Sequence, residues 1–195
     1  MRMRLFPSVI LLPAVLSISC DTPSAKHDER GSPRNGEMQS AHDTGVWVID
    51  TFVDELGQTR ERQYITNRGV IAGNFSTASI PRAPLNIKFR IFDPNNISLQ
   101  LFEYSGNTPV KALSPQMYSV SIEDADGVDH TVKAVNYGDK LSFERSDAGM
   151  IHGILMKGGR VQFSITGEMN TTSRYQFTIE NAKGYDEAFS QLEAK

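Results

Sequence analysis

Cysteine occurs once in the 195 residues, at Cys20, so no internal disulfide can staple the chain. Tryptophan also occurs once, at Trp47. Basic residues are outnumbered, 20 Lys and Arg against 23 Asp and Glu. That balance argues against bulk nucleic-acid binding, which needs a basic face, and against adhesion to anionic lipid by charge alone. No apolar run reaches the roughly 20 residues required to span a bilayer. The longest, from Leu5 to Ile18, is interrupted by Pro7 and Pro13, which oppose a spanning helix. There is no HExxH or CxxC and no G-x-S-x-G elbow, so the usual local marks of zinc and serine chemistry are missing.

The first segment present is a leader. Met1-Arg2-Met3-Arg4 supplies two positive charges and no acid, the run to Ile18 is apolar, and small Ser17 and Ser19 precede Cys20. This order of basic, apolar and small residues predicts a signal peptide over 1–19. An ordinary secretory leader needs no Cys after the cut. "LSIS" followed by Cys20 resembles the lipobox of bacterial lipoproteins, although Ser17 stands where that family prefers Leu, with Leu16 one position further out. The resemblance implies cleavage before Cys20, a diacylglycerol on its thiol and an acylated amino terminus. Each buried CH₂ of an acyl chain contributes about 0.8 kcal/mol, and more than one chain makes the anchor stable. The thiol would then serve neither redox chemistry nor metal binding. Asp21 resembles the inner-membrane retention signal of some such lipoproteins, while the choice of membrane stays open.

Residues 20–45 carry almost no large apolar side chain and are rich in Ser, Pro, Gly, Asp and Asn. Such a segment cannot bury enough surface to offset ordering entropy, and it predicts a disordered tether with a reach of about 25–30 Å. His27 and His42 fall in it as isolated histidines, a poor basis for metal ligation. Loss of Arg2 and Arg4 with the leader would move the net charge from −3 to about −5, leaving membrane attachment to the acyl chains.

Residues 46–195 are the length of one domain. Leu85, Ile87, Phe89 and Ile91 alternate with polar residues, as do Ile97, Leu99 and Leu101, and Asp93-Pro94-Asn95-Asn96 between them predicts a hairpin of 85–92 with 97–104. The same alternation marks strands around Tyr118–Ile122, Val132–Ala134, Leu141–Phe143, Val161–Ile165 and Tyr175–Ile179, with earlier strands at 46–52, 61–66 and 70–76. Helical spacing appears twice. Met150, Ile151, Ile154 and Leu155 form one stripe over about 146–157, begun by Ser146 or Asp147 and stopped by Gly158-Gly159. Ala188, Phe189 and Leu192 form a second over about 185–193. The predicted fold is mainly β: an antiparallel sandwich or partly closed barrel of about ten strands, with two short helices covering an end or edge.

"FSTAS", "LFEYSGNTPVK", "ILMKGGRVQFSI" and "SRYQFTIENAKGYDEAF" resemble small, poorly characterised bacterial and phage-encoded envelope domains. The last stretch is similar to accessory domains associated with type VI secretion, with Leu155, Lys157, Gly158, Gly184, Tyr185, Ala188 and Phe189 at the matching positions. These motifs are structural, and the resemblance carries over no active-site residue.

Candidate chemistry is sparse. His130 and His152 are the histidines of the domain, with no nucleophile elbow to serve. "DADGVD" (124–129) resembles the front of a calcium loop, but Val128 falls where an oxygen ligand is needed and no closing Glu follows, so it reads as a turn between strands. "LMKGGRV" lacks the leading Gly and the Lys-Ser/Thr pair of a phosphate loop. Aromatics offer a stronger lead: Trp47 at the domain entrance, and Phe102 and Tyr104 partly out of phase with their strand, are candidates for an interface, with core packing as the alternative. The expectation is a lipid-anchored envelope lipoprotein facing the periplasm, without cofactor, metal or catalytic residue, that binds another envelope protein. Two rivals remain open: a hydrolase of envelope polymers using carboxylates such as Glu103 or Asp139, and an apolar small-ligand carrier with a hollow interior.

Overall fold

The computed structural model describes residues 44–53, 59–168 and 172–194. Cys20, Asp21, His27, His42, the leader and nearly all of the proposed tether lie outside the described residues. Ten strands and two helices follow in order: β1 (Trp47–Val53), β2 (Thr59–Asn67), β3 (Ile71–Ser76), β4 (Ala83–Asp93), β5 (Asn96–Glu103), β6 (Ala112–Glu123), β7 (Asp129–Gly138), β8 (Lys140–Phe143), α1 (Arg145–Lys157), β9 (Val161–Gly167), β10 (Arg174–Ile179) and α2 (Tyr185–Glu193). The mainly antiparallel β expectation holds, and of its two forms the barrel is observed, fully closed. Eight strands form the ring β3–β4–β5–β8–β7–β6–β9–β10 and back to β3, every pairing antiparallel. Closure removes the free edges that an open sheet would expose.

The remaining two strands make an arm. β1 pairs with β2 from Trp47 opposite Asn67 to Val53 opposite Thr59, and β2 touches the barrel through Ile65 opposite Ile91 of β4. β3 pairs with the first half of the same edge of β4, Ile71 opposite Ile87. β2 and β3 thus follow one another along the same edge of β4, joined through residues 68–70, with two more residues than β4 across this stretch. The Asn67 amide bridges the resulting gap. Its oxygen accepts the Phe89 N–H at 2.8 Å, and its nitrogen donates to the Ile87 carbonyl at 3.0 Å and the Gly69 carbonyl at 2.6 Å. A side chain supplies the partners that a strand would otherwise supply.

Alternation sets the inside of the barrel. Leu85, Ile87, Phe89 and Ile91 of β4 point inward with Leu99 of β5, Val120 and Ile122 of β6, Phe163 and Ile165 of β9, and Phe177 of β10, all buried. Phe163 and Phe177, cross-strand partners, stack at 4.7 Å with rings 8° from parallel, and Phe89 meets both edge-on. These side chains make the inside of the barrel an apolar core.

α1 packs against β5 of the barrel, and α2 against α1 and the β1–β2 arm. α1 buries Ala148, Ile151, Ile154 and Leu155, whereas Met150, expected in the stripe, is 42% exposed: the buried face is rotated towards Ala148. Neither Ser146 nor Asp147 caps the helix. Glu144 holds the cap position without a side-chain bond, and Asp147 instead accepts the Lys133 N–H of β7 at 2.8 Å. Gly158 ends α1 at φ 71°, a conformation that L side chains rarely adopt.

Candidate functional site

Trp47 is not a surface aromatic. It is fully buried at the base of the arm, its indole N–H donates to the Ala182 carbonyl at 3.1 Å, and its ring meets Phe89 and Tyr185 edge-on at 5.5 and 5.3 Å. The loop before α2 and the first turn of that helix cover it, so the entrance of the domain is pinned into the core. Tyr104 is 58% exposed and leaves β5 at φ 56°, its ring edge-on to Phe75 at 5.0 Å. Phe102 is half-buried and faces outward from β5.

Phe102 belongs to a groove of about 500 Å³ on the outer face of the barrel. The floor is the outward row of β4, Asn86, Lys88 and Arg90, beside Phe102 and Gln100 of β5. The arm forms one wall through Asp50, Tyr64 and Thr66, which lie on the face opposite Trp47 and Ile65. Gly106, Asn107, Pro109 and Asp139 form the other. Phe92 locks the arm down: its ring lies 6.1 Å from Phe52 and 5.3 Å from Tyr64, with the Arg62 guanidinium 4.3 Å above it.

The charges of the groove are unevenly paired. Asp50 accepts from its neighbour Thr51 N–H at 2.8 Å and from the Tyr64 hydroxyl at 3.3 Å. Burial pushes the Tyr64 phenol up, and Asp50 pushes it further, so Tyr64 remains a donor at neutral pH. Asp139 accepts from the Gln100 amide at 2.8 Å and lies 4.0 Å from Arg90, too long for a hydrogen bond. The Lys88 side chain has no hydrogen bond or ion pair among the described residues. The Lys88 ammonium is thus the charged group of the floor left without a partner among the described residues.

A second polar cluster behaves differently. Asp124, in the turn between β6 and β7, is buried and accepts four bonds near 3.0 Å: from the backbone N–H groups of Asp126 and Val128, from His130 Nε2 and from Lys157 Nζ. The backbone N–H of Val128, followed by His130 and Lys157, holds its carboxyl well below the usual carboxylate range. The "DADGVD" segment is a closed structural turn, and no group of three or more His, Cys, Asp or Glu among the described residues could hold a metal. Lys157 of "LMKGGRV" serves this turn. His152 of α1 is half-buried. Its Nδ1 is 3.0 Å from the Tyr185 hydroxyl and its ring packs on Phe189 at 4.6 Å, and burial lowers its pKa. No serine is hydrogen-bonded to either histidine among the described residues.

The two carboxylates considered for hydrolysis make different contacts. Asp139 lines the groove, while Glu103 lies outside its lining and accepts from the buried Tyr175 hydroxyl at 3.0 Å. Asp50, Lys88, Arg90 and Gln100 were missed as site residues. The available signal was two cations on successive outward positions of β4, but the arm that walls them is placed by long-range pairing. No protein-family model, curated protein or solved structure matches the chain.

Proposed function

We propose that this chain is a lipid-anchored envelope lipoprotein, held by acyl chains on Cys20, whose barrel binds another envelope protein through the outer-face groove. The observation that carries the reading is the contrast between a filled barrel interior and an outer groove whose donors are incompletely paired. A packed interior leaves recognition to the outside, and a mixed floor flanked by Phe102 and Tyr64 has the aromatic and charged character of recognition surfaces. The lipobox-like leader supplies the anchor and the polar segment after it supplies reach.

Two measurements test the parts separately. Labelled palmitate should enter the wild-type chain and not Cys20→Ser, and persistent labelling of that variant refutes the anchor. A photo-crosslinking residue at Asn107, on the groove rim, should give a discrete adduct in intact envelopes, abolished by Phe102→Ala. The same residue at Asn74, on a different outer face, should give none. Equal adducts from both positions refute the groove as the binding surface.

A further inference from the structure

We propose that the groove over β4 and β5 captures a single carboxylate carried on an aromatic or apolar body, such as the free acid of a peptide chain, with Lys88 as the anchoring cation. The inference rests on reading the groove as the binding site and adds the chemistry of what enters it.

Sign comes first. Lys88 and Arg90 are two residues apart on one face of β4, a separation of about 6–7 Å along a strand, close enough for one anionic group to meet both. Lys88 offers its ammonium with no partner among the described residues, and Arg90 reaches Asp139 only at 4.0 Å. Asp50 is occupied by Tyr64 and Thr51, and Asp139 by Gln100. The charged group of the floor left unpaired is the Lys88 ammonium, to which a ligand carboxylate offers two acceptor oxygens.

Magnitude of charge comes second. Asp50 and Asp139 stand on opposite walls. Their repulsion grows with the charge a ligand brings, and so does the attraction of Lys88 and Arg90; a phosphoryl group carries about −1.5 to −2 at neutral pH and a carboxylate a single charge, which suffices to pair Lys88.

Body comes third. Phe102 sits opposite Asn86 and beside Lys88's cross-strand partner Gln100, and Val70 and Pro109 add apolar wall. A ring attached to the carboxylate can lie against Phe102 while its charge reaches Lys88. The cavity, about 500 Å³, falls in the range of small-ligand sites.

The test is amide-resolved NMR of the labelled full chain in detergent, titrated with N-acetylphenylalanine, its neutral amide and phenyl phosphate. The acid should give saturable shifts at Lys88, Gln100 and Phe102, with the amide about tenfold weaker, as expected for loss of a charge-assisted bond. Lys88→Gln should weaken the acid by about tenfold while Lys88→Arg keeps most of the affinity, with shifts elsewhere unchanged. Equal binding of acid and amide, no binding of the acid, or tighter binding of phenyl phosphate overturns the proposal. If the acid fails while the Asn107 adduct still depends on Phe102, the carboxylate assignment falls and the protein-binding reading stands.

Discussion

Along β4, Leu85, Ile87, Phe89 and Ile91 are sealed from solvent, while Asn86, Lys88 and Arg90, each one residue away, stay partly wet. The inward set completes its contacts within the chain: Phe89 touches Trp47, Phe163 and Phe177. The outward set does not, since Lys88 has no described partner and Arg90 is only loosely paired. One strand thus presents a finished surface and an unfinished one. Stability resides in the first and capacity for a ligand in the second, and substitutions on the two faces should separate accordingly.

The largest effect belongs to the interior. Phe163→Ala should cost about 4 kcal/mol, read from urea unfolding followed by fluorescence of the single, buried Trp47; a loss below about 1 kcal/mol would mean the stacked pair with Phe177 is not the rigid centre described. Asn67→Ala, at the seam between arm and barrel, should cost about 3 kcal/mol because it strands the Phe89 N–H and the Ile87 carbonyl. An effect near zero would show that water replaces the amide.

Asp124 gives a pH-dependent case from outside the groove. Its folded pKa lies below the ordinary 3.8, so its contribution is complete above that value and is lost as pH falls below it and on through the folded pKa. Wild type should therefore lose stability on acidification more steeply than Asp124→Asn, and the gap between them should narrow in acid. Parallel curves would break the assignment. The smallest effect is expected in the groove: Lys88→Gln should shift stability by no more than about 0.5 kcal/mol, and a large loss would mean that Lys88 belongs to the architecture after all.

Much of the fold was legible because it is written locally. Period-two alternation and the Asp93–Asn96 and Asp124–Gly127 turns located the hairpins, and Gly158 marked the end of the first helix. What was illegible depends on residues far apart in the chain. Barrel closure needs β10 on β3 and β8 on β5, pairings that no local pattern encodes. Trp47 looked peripheral because it opens the domain, yet its partner Ala182 is 135 positions away. The α1 stripe was misphased by Met150 because small Ala148, not the bulkier Met, fits against the barrel. Phe102 was singled out for being out of phase, and it does line the groove; its charged neighbours carried no mark beyond ordinary strand polarity.

The splice at Asn67 makes the arm and the floor mechanically one piece. Because the Asn67 amide joins the turn between β2 and β3 to the backbone beneath Lys88 and Arg90, beside the Ile65–Ile91 pairing and the Phe92 contacts, a displacement of the arm would load the Phe89 N–H. Exchange of that proton with deuterium is therefore a built-in strain gauge, able to report occupancy from the dry side of the wall.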